Sequence, residues 1–428
     1  MSLFLLLDGK CKDKGWVCLI CRKLGEVFFI FTRMRGLFVL LLGMALNGSA
    51  QSYTSYFTGN STDIEVVPNG GICLMGGSTE DDNGMRWFLE RANGGDVLVI
   101  RTSGSDGYND YLFNQLGVSV NSVETIVFNN PSAANEFYIH QKIKKAEAIW
   151  IAGGDQWNYI SYWRDTPIDS LINNGIQNRN MAIGGTSAGM AILGGFYFSA
   201  ENGTVTSATA LSNPFDGDVT VDHTPFINLP ILGDVVTDTH YDDPNRKGRH
   251  VVFMSRMLND HGVVAKGIAC DEYTAVCIDE NGMASVYGEH PDYDDYAYFL
   301  QVNCEYPLNA PETIQANEPL TWNMNGEALK VYFAPGTEDG SVQFDLNNWK
   351  EATGGSWQHW YVTNGTLIEH NGTQIDCGVE GIESLDLESN QIIGISDVLG
   401  RPAQFKKNEF LFVKYANGTI VKCMSTAY

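Results

Sequence analysis

A three-layer, doubly wound α/β domain with a mostly parallel sheet, followed by a small C-terminal β domain, is the architecture this 428-residue sequence predicts. Three observations predict it. Short apolar runs recur at residues 72–75, 97–100, 125–128, 148–152 and 181–183, and near-continuous apolarity marks strands buried on both faces. Helix-like stretches separate them at 82–92, 109–116, 133–145 and 158–173, the alternation that lays helices on both faces of a parallel sheet. Glycine-rich turns follow two of the strands, and sheets of this kind bind ligands at the carboxyl ends of their strands.

The N-terminus carries location signals. Arg33-Met34-Arg35 precedes an apolar run at 37–46 and then Asn47-Gly48-Ser49-Ala50-Gln51, the charged, apolar and small-residue zones of a secretory signal with cleavage after Ala50. The run is too short to span a bilayer, which needs about 20 residues. The residues ahead of Met34 read as an upstream extension, with a membrane-anchored N-terminus as the competing reading. Residues 1–50 are therefore assigned to an extension and signal peptide, 51–350 to the α/β domain and 351–428 to a β-rich domain.

The first glycine-rich turn is Gly153-Gly154-Asp155-Gln156, after the run at 148–152. The second, Gly185-Thr186-Ser187-Ala188-Gly189, has the G-x-S-x-G spacing. Such a serine sits on a strained strand-to-helix bend whose small neighbours leave the hydroxyl open to attack. The following amide, on Ala188, heads a helix N-terminus where it can hold a developing oxyanion. A turn that merely packs a helix close to a strand is the plain alternative. A nucleophilic serine also needs an imidazole to take its proton and a carboxylate to fix the imidazole tautomer. An α/β-hydrolase would run serine, acid, histidine, nominating Asp238 and His261, but no HGGG-type oxyanion segment is present.

Four motifs in order carry a resemblance. Residues 149–156 (Ile-Trp-Ile-Ala-Gly-Gly-Asp-Gln), the serine turn, Asp238-Thr239-His240-Tyr241, and Gly267-Ile268-Ala269-Cys270-Asp271-Glu272-Tyr273-Thr274-Ala275 resemble the cyanophycinase family over about residues 68–350. Those serine peptidases are related to dipeptidase E and share a glutamine-amidotransferase-like α/β fold. The resemblance implies a catalytic triad of Ser187, His240 and Glu272, with oxyanion donors from Ala188 and from Gly154 or Asp155. It also implies a substrate pocket that includes Gln156, Asp238, Thr239, Arg246 and Arg249. Three departures alter that pocket. Thr239 stands where the family has glutamine, Pro244 stands at the first of three arginines, and Met190 replaces an alanine after the serine motif. The expected activity is hydrolysis of peptide or isopeptide bonds at aspartyl units, with cyanophycin itself in question. For Arg246 and Arg249, pairing with protein carboxylates is the plain alternative.

Charge excludes some partners. The chain has a net charge of −24; residues 1–50 carry 7 basic and 3 acidic groups, leaving 20 basic against 48 acidic side chains in the rest. That sign opposes nucleic-acid binding. Beyond residue 50 the cysteines are Cys73, Cys270, Cys277, Cys304, Cys377 and Cys423. An exported protein could oxidise them, yet Cys73 and Cys270 sit in core-like strands where a reduced thiol is the commoner state. There is no C-x-x-C pair and no histidine cluster, so neither a metal nor a cofactor is expected. The acidic groups Asp216/Asp218 and Asp292/Asp294/Asp295 read as solvated loops, since no EF-hand pattern surrounds them.

Residues 305–350 contain prolines and a strand-like run at 328–333, and are expected to finish the α/β domain. From 356 onward come short alternating runs with Asn-Gly turns at 364, 371 and 417, a hairpin signature. The segment 392–422 resembles the C-terminal sorting domains of secreted Bacteroidetes proteins, which makes export machinery an expected partner beside a peptide substrate; a homodimer is left open. A surface-binding β module is the alternative for this end. For the whole chain the alternatives are an inactive relative that binds a peptide or glycan in the same cleft, and a cytoplasmic amidotransferase-like enzyme. The latter would need a cysteine where Ser187 stands.

Overall fold

The computed structural model describes residues 51–306, 309–376, 392–396, 401, 410–415 and 420–424. The chain divides into Met1–Ser52 and Tyr53–Tyr428. The expected signal at residues 1–50 lies outside the described residues, as do 397–400 and 416–419 of the sorting-like segment.

From β1 (Tyr53–Gly59) the chain enters β2 (Ile72–Met75), α1 (Asp82–Arg91) and β3 (Asp96–Arg101). Next come α2 (Gly107–Asp110), a π-helical turn at Tyr111–Gln115, and β4 (Ser122–Phe128). A 3-10 turn at Pro131–Asn135 and α3 (Phe137–Lys145) lead to β5 (Ala148–Ile151); α4 (Gln156–Trp163), α5 (Pro167–Arg179), β6 (Ala182–Thr186) and α6 (Ala188–Ala191) follow. Three stretches expected as single helices are thus divided. The clearest division has a local cause: Pro167 cannot donate within a helix and instead starts α5, capped by the Thr166 side chain.

The remaining elements are β7 (Tyr197–Phe198), α7 (Ser207–Ser212), β8 (Val221–Asp222), β9 (Val235–Asp238), α8 (Lys247–His261) and β10 (Lys266–Cys270). After them run β11 (Ala275–Ile278), β12 (Met283–Tyr287), β13 (Tyr296–Val302), β14 (Leu329–Pro335), β15 (Val342–Asp345) and β16 (Ala352–Thr353). A hairpin of β17 (Ser356–Thr363) and β18 (Thr366–Asn371), then β19 (Ile392–Ser396), β20 (Phe410–Tyr415) and β21 (Ile420–Met424), complete the described strands.

The fold is mixed α/β, as the alternation of runs predicts. The large sheet runs β1-β4-β3-β5-β6-β2-β11-β12-β15-β16. Its pairs from β4 through β2 are parallel, and antiparallel strands extend it on both sides. Side chains alternate between two cores: Ile72 and Leu74 of β2 enter one, and Cys73 and Met75 the other. Helix α1 covers the second core with Met85, Phe88 and Leu89, and α3 and α5 cover the first with Ile139, Ile143, Ile168 and Ile172. Burial on both faces is what selects an uninterrupted apolar run for each central strand.

A second sheet runs β18-β17-β14-β13-β10-β9. Its β9–β10 pair is parallel, connected through α8, so both strands end on the same side. The Asn364-Gly365 turn between β17 and β18 has positive φ at both residues, 47° and 73°, the backbone a two-residue hairpin needs. That hairpin lies beyond the boundary expected at 350/351 and joins the second sheet. β17 pairs along β14, placing Trp360 and Val362 in the core of the second sheet. The described strands beyond it, β19–β21, form a separate three-stranded sheet. Among the described residues no helix is long and apolar enough to cross a membrane.

Candidate active site

Strand β6 ends in a bend whose shape depends on missing side chains. A Cβ on Gly189 would lie 2.0 Å from the carbonyl oxygen of Ile151, and one on Gly185 would lie 2.6 Å from the backbone of Gly189. The helix after β6 therefore packs against β5 at backbone distance. Ser187 takes φ 53° and ψ −119°, a left-handed conformation that costs a non-glycine residue about 1–3 kcal/mol. Its amide donates to the carbonyl of Met75 at 3.1 Å, tying the bend to the end of β2.

The parallel pair β9–β10 brings two further groups to this bend. His240 follows β9, and its amide donates to the Gly76 carbonyl at 2.8 Å. Glu272 follows β10, and its amide donates to Asp242 Oδ1 at 3.0 Å. Ser187 Oγ lies 2.7 Å from His240 Nε2, and His240 Nδ1 lies 2.5 Å from Glu272 Oε1. A carboxylate only accepts, so Nδ1 carries the proton and Nε2 is left to accept from the serine. The histidine and glutamate side chains are 22% and 21% exposed, enough for a substrate to reach them from solvent.

The Gly153-Gly154 turn after β5 borders the serine; a Cβ on Gly153 would stand 3.6 Å from Ser187 Cβ. Among the described residues, no backbone or side-chain acceptor takes the amides of Gly154, Asp155 or Ala188. The Asp155 carboxylate caps α4, accepting from Trp157 and Asn158. Gln156 starts that helix, half-buried, and donates from Nε2 to the Phe198 carbonyl at 3.0 Å.

The residues expected to bind substrate fall into two groups. Asp238 and Arg249 are buried and joined by two hydrogen bonds, Nε to Oδ2 at 2.9 Å and Nη2 to Oδ1 at 2.5 Å. Nη1 of Arg249 reaches Thr204 Oγ1 and the Val205 carbonyl, both at 3.3 Å. Every nitrogen of that guanidinium makes at least one contact within the protein, so the expected pocket pair is buried against itself beside the His240 segment. Burial pushes the Asp238 carboxyl up, but Arg249 outweighs it and holds the group below the usual carboxylate range. Thr239 is buried, its amide donating to Asp238 Oδ1 at 2.9 Å. Arg246 is half-buried, and its Nη1 donates to the Thr239 carbonyl at 3.1 Å. Pro244 is exposed. The hydrolase-like order is not assembled, because His261 packs on Phe196 and His223, away from Asp238.

Sequence reasoning missed Gly76-Gly77, which closes the site from the β2 side. Gly77 has φ 124°, and a Cβ there would lie 2.4 Å from His240 Nε2. Its carbonyl accepts the Tyr273 amide at 3.2 Å. The available signal was a Gly-Gly pair directly after an apolar strand, the same pattern as Gly153-Gly154. Beyond Tyr273 opens a cavity of about 530 Å³ whose lining includes Glu80, Asp81, Asp82, Glu289 and Asp295, and no lysine or arginine. Burial pushes up the carboxyls of Glu80 and Asp295, and that of Asp81 to about 6.

Comparison with known proteins finds similarity over the part of the chain that carries these residues. Residues 107–286 match the model of peptidase family S51, a span that contains Gly153-Gly154, Ser187, His240 and Glu272. The cyanophycinase of Trichormus variabilis is 21% identical over 264 residues, 58% of this chain and 79% of that protein. That of Thermosynechococcus vestitus is 24% identical over 255 residues, 56% of this chain and 73% of that protein. A peptidase from an acI-B1 Actinobacterium, known from its crystal structure, aligns with 54% of this chain and 91% of its own at 15% identity and a TM-score of 0.39. The family match and the curated relatives support a peptidase of family S51.

Proposed function

We propose that this chain is a serine-type member of peptidase family S51 that cleaves peptide or isopeptide bonds at aspartyl units through an acyl-enzyme on Ser187. The observation that carries the reading is the hydrogen-bonded series Ser187–His240–Glu272, with contacts of 2.7 and 2.5 Å. In the first half-reaction Ser187 Oγ bonds to the carbonyl carbon while its proton passes to His240 Nε2. The carbonyl oxygen becomes an oxyanion facing the amides of Ala188 and of Gly154 or Asp155. The carbon–nitrogen bond then breaks, and the leaving amine takes the proton from His240. Water repeats the sequence on the ester, releasing the acid and restoring the serine. Glu272 keeps the Nδ1 proton in place and stabilises the imidazolium between steps.

Arg246 supports recognition of a substrate carboxylate, because its half-buried guanidinium has one nitrogen committed to Thr239 and lies near the histidine segment. Pro244 supplies no charge and no donor where the resembled family has a further arginine. We therefore expect short aspartyl peptides to compete well with cyanophycin. For location, the charged and apolar zones of residues 33–51 support export, and the disulfide-bonded state of Cys304 suits an oxidising compartment. The sorting-like segment at 392–422 supports a contact with export machinery. Mass spectrometry of products from cyanophycin and from α- and β-aspartyl peptides tests the substrate reading. Cyanophycin cleaved at least tenfold faster than every short peptide would contradict the altered pocket.

A further inference from the structure

Asp271 and Glu272 are adjacent carboxyls at the end of β10 with opposite surroundings. Glu272 is partly open to solvent and faces the imidazole of His240. Asp271 is 2% exposed; among the described residues its Oδ1 has no hydrogen-bond partner within normal distance, its Oδ2 accepts the Tyr298 hydroxyl at 3.3 Å, and the Tyr296 amide gives the carboxyl a weak further stabilisation. A carboxylate left buried with so little solvation is costly, whereas the protonated acid is tolerated.

The charged and titratable groups around it do not offset that cost. From its own strand come the buried Cys270 thiol, which burial pushes up, and the triad carboxylate of Glu272. From β13 come the Tyr296 and Tyr298 phenols, both pushed up by burial, and from the 240–246 segment come buried Tyr241 and the carboxylate of Asp242. The cation acting on it is Lys247 of α8, whose ammonium is 2.7 Å from Glu369 and lies over the Tyr298 and Trp360 rings. Burial and the Asp242 charge push the Asp271 carboxyl up to about 8.

We infer that Asp271 is a positioning residue that must stay protonated for the His240–Glu272 contact to hold, and that its ionisation sets the alkaline limit of the site. The link is Asp242, whose carboxylate accepts the Glu272 amide at 3.0 Å. A negative Asp271 repels Asp242, loosens that anchor and lets the Glu272 carboxylate swing from Nδ1. The inference rests on the reading of Ser187 as nucleophile. It also predicts a stability effect independent of catalysis. An unfolded aspartate titrates near 3.9, while the folded group keeps its proton to about 8. Between those values the unfolded chain binds fewer protons, so folded stability falls as pH rises across the window and levels off above it.

The test uses the full chain and a fluorophosphonate probe, in which Ser187 Oγ bonds to phosphorus, fluoride leaves and the serine proton departs through His240 to water. The wild-type labelling rate should fall about tenfold for each pH unit above 8. Asp271→Asn should label at the wild-type rate at pH 7 and keep that rate at pH 9, and its thermal midpoint should gain on wild type from pH 5 to pH 8. Tyr298→Phe, which removes the donor to the ionised carboxyl, should move the limb to higher pH. The same limb in Asp271→Asn, or slow labelling at pH 7 in a variant with a wild-type melting profile, would overturn the inference. A parallel pH dependence of the two midpoints would overturn the protonated state itself. No labelling of wild type at any pH would instead overturn the serine reading, and the midpoints would still report whether Asp271 is held protonated.

Discussion

Replacing Arg249 by methionine keeps an unbranched apolar stem, shortens the side chain and removes its charge. The perturbation isolates one interaction, because Arg249 and Asp238 are 4% and 2% exposed and bonded to each other through two contacts. Removing one partner leaves an uncompensated buried carboxylate, which costs about 3–5 kcal/mol. Some packing survives, since the guanidinium lies over the rings of Phe198 and Phe253 and the methionine stem can stay there. Urea denaturation at pH 7 should therefore show a loss toward 3 kcal/mol. The pH dependence gives a sharper signature. In wild type the depressed Asp238 pKa contributes stability that is present above the unfolded value near 3.9 and is lost as pH falls through the folded one. The variant loses the dominant cation and keeps only the lesser influence of Arg246 and His250, so Asp238 takes up a proton at higher pH and the stability gap narrows from pH 7 to pH 5. Adding Asp238→Leu should recover part of the loss. A cost below about 1 kcal/mol, or a gap unchanged at pH 5, would refute the claim that this pair supports the segment carrying His240.

Glu272→Gln should fold normally and lose roughly 10²–10⁴-fold in kcat, because an amide can hold the imidazole in the wrong tautomer; steady-state kinetics on a cleaved aspartyl peptide measures this. Gly77→Ala should remain folded yet lose activity, since its Cβ would stand 2.4 Å from His240 Nε2 at a backbone φ of 124°; circular dichroism paired with kinetics separates the two effects. Arg246→Gln should raise KM about ten- to a hundredfold with a smaller change in kcat, as expected for the loss of a charged hydrogen bond to a bound carboxylate.

Much of the first sheet was legible because burial on both faces leaves a short-range mark. The run 72–75 coincides with β2, and those at 97–100 and 148–152 fall within one residue of β3 and β5. The serine bend was legible too, since Gly185 is required by a contact with the backbone of Gly189 in the same turn, although Gly189 itself is required by the Ile151 carbonyl on β5. Less could be read where the constraint is long-range. Paired residues of β9 and β10 are 31 positions apart in sequence, Lys266 opposite Val235, and that pairing brings His240 and Glu272 to one side. The Asp238–Arg249 pair shows the same limit from another direction. Residue type alone permits either a substrate clamp or an internal bridge, and only the folded chain shows the two side chains buried against each other. Gly76-Gly77 escaped notice because its function depends on a histidine more than 160 residues later, against which no side chain fits.

The central claim is that Ser187 forms the acyl-enzyme, and rapid-quench intact-protein mass spectrometry with an activated aspartyl ester tests it most directly. The reading predicts that wild type gains the mass of the acyl group on the peptide containing Ser187 before steady state, and that Ser187→Ala gains none and loses several orders of magnitude in turnover. An adduct at another residue, or a folded Ser187→Ala protein that hydrolyses the ester at the wild-type rate, would contradict it.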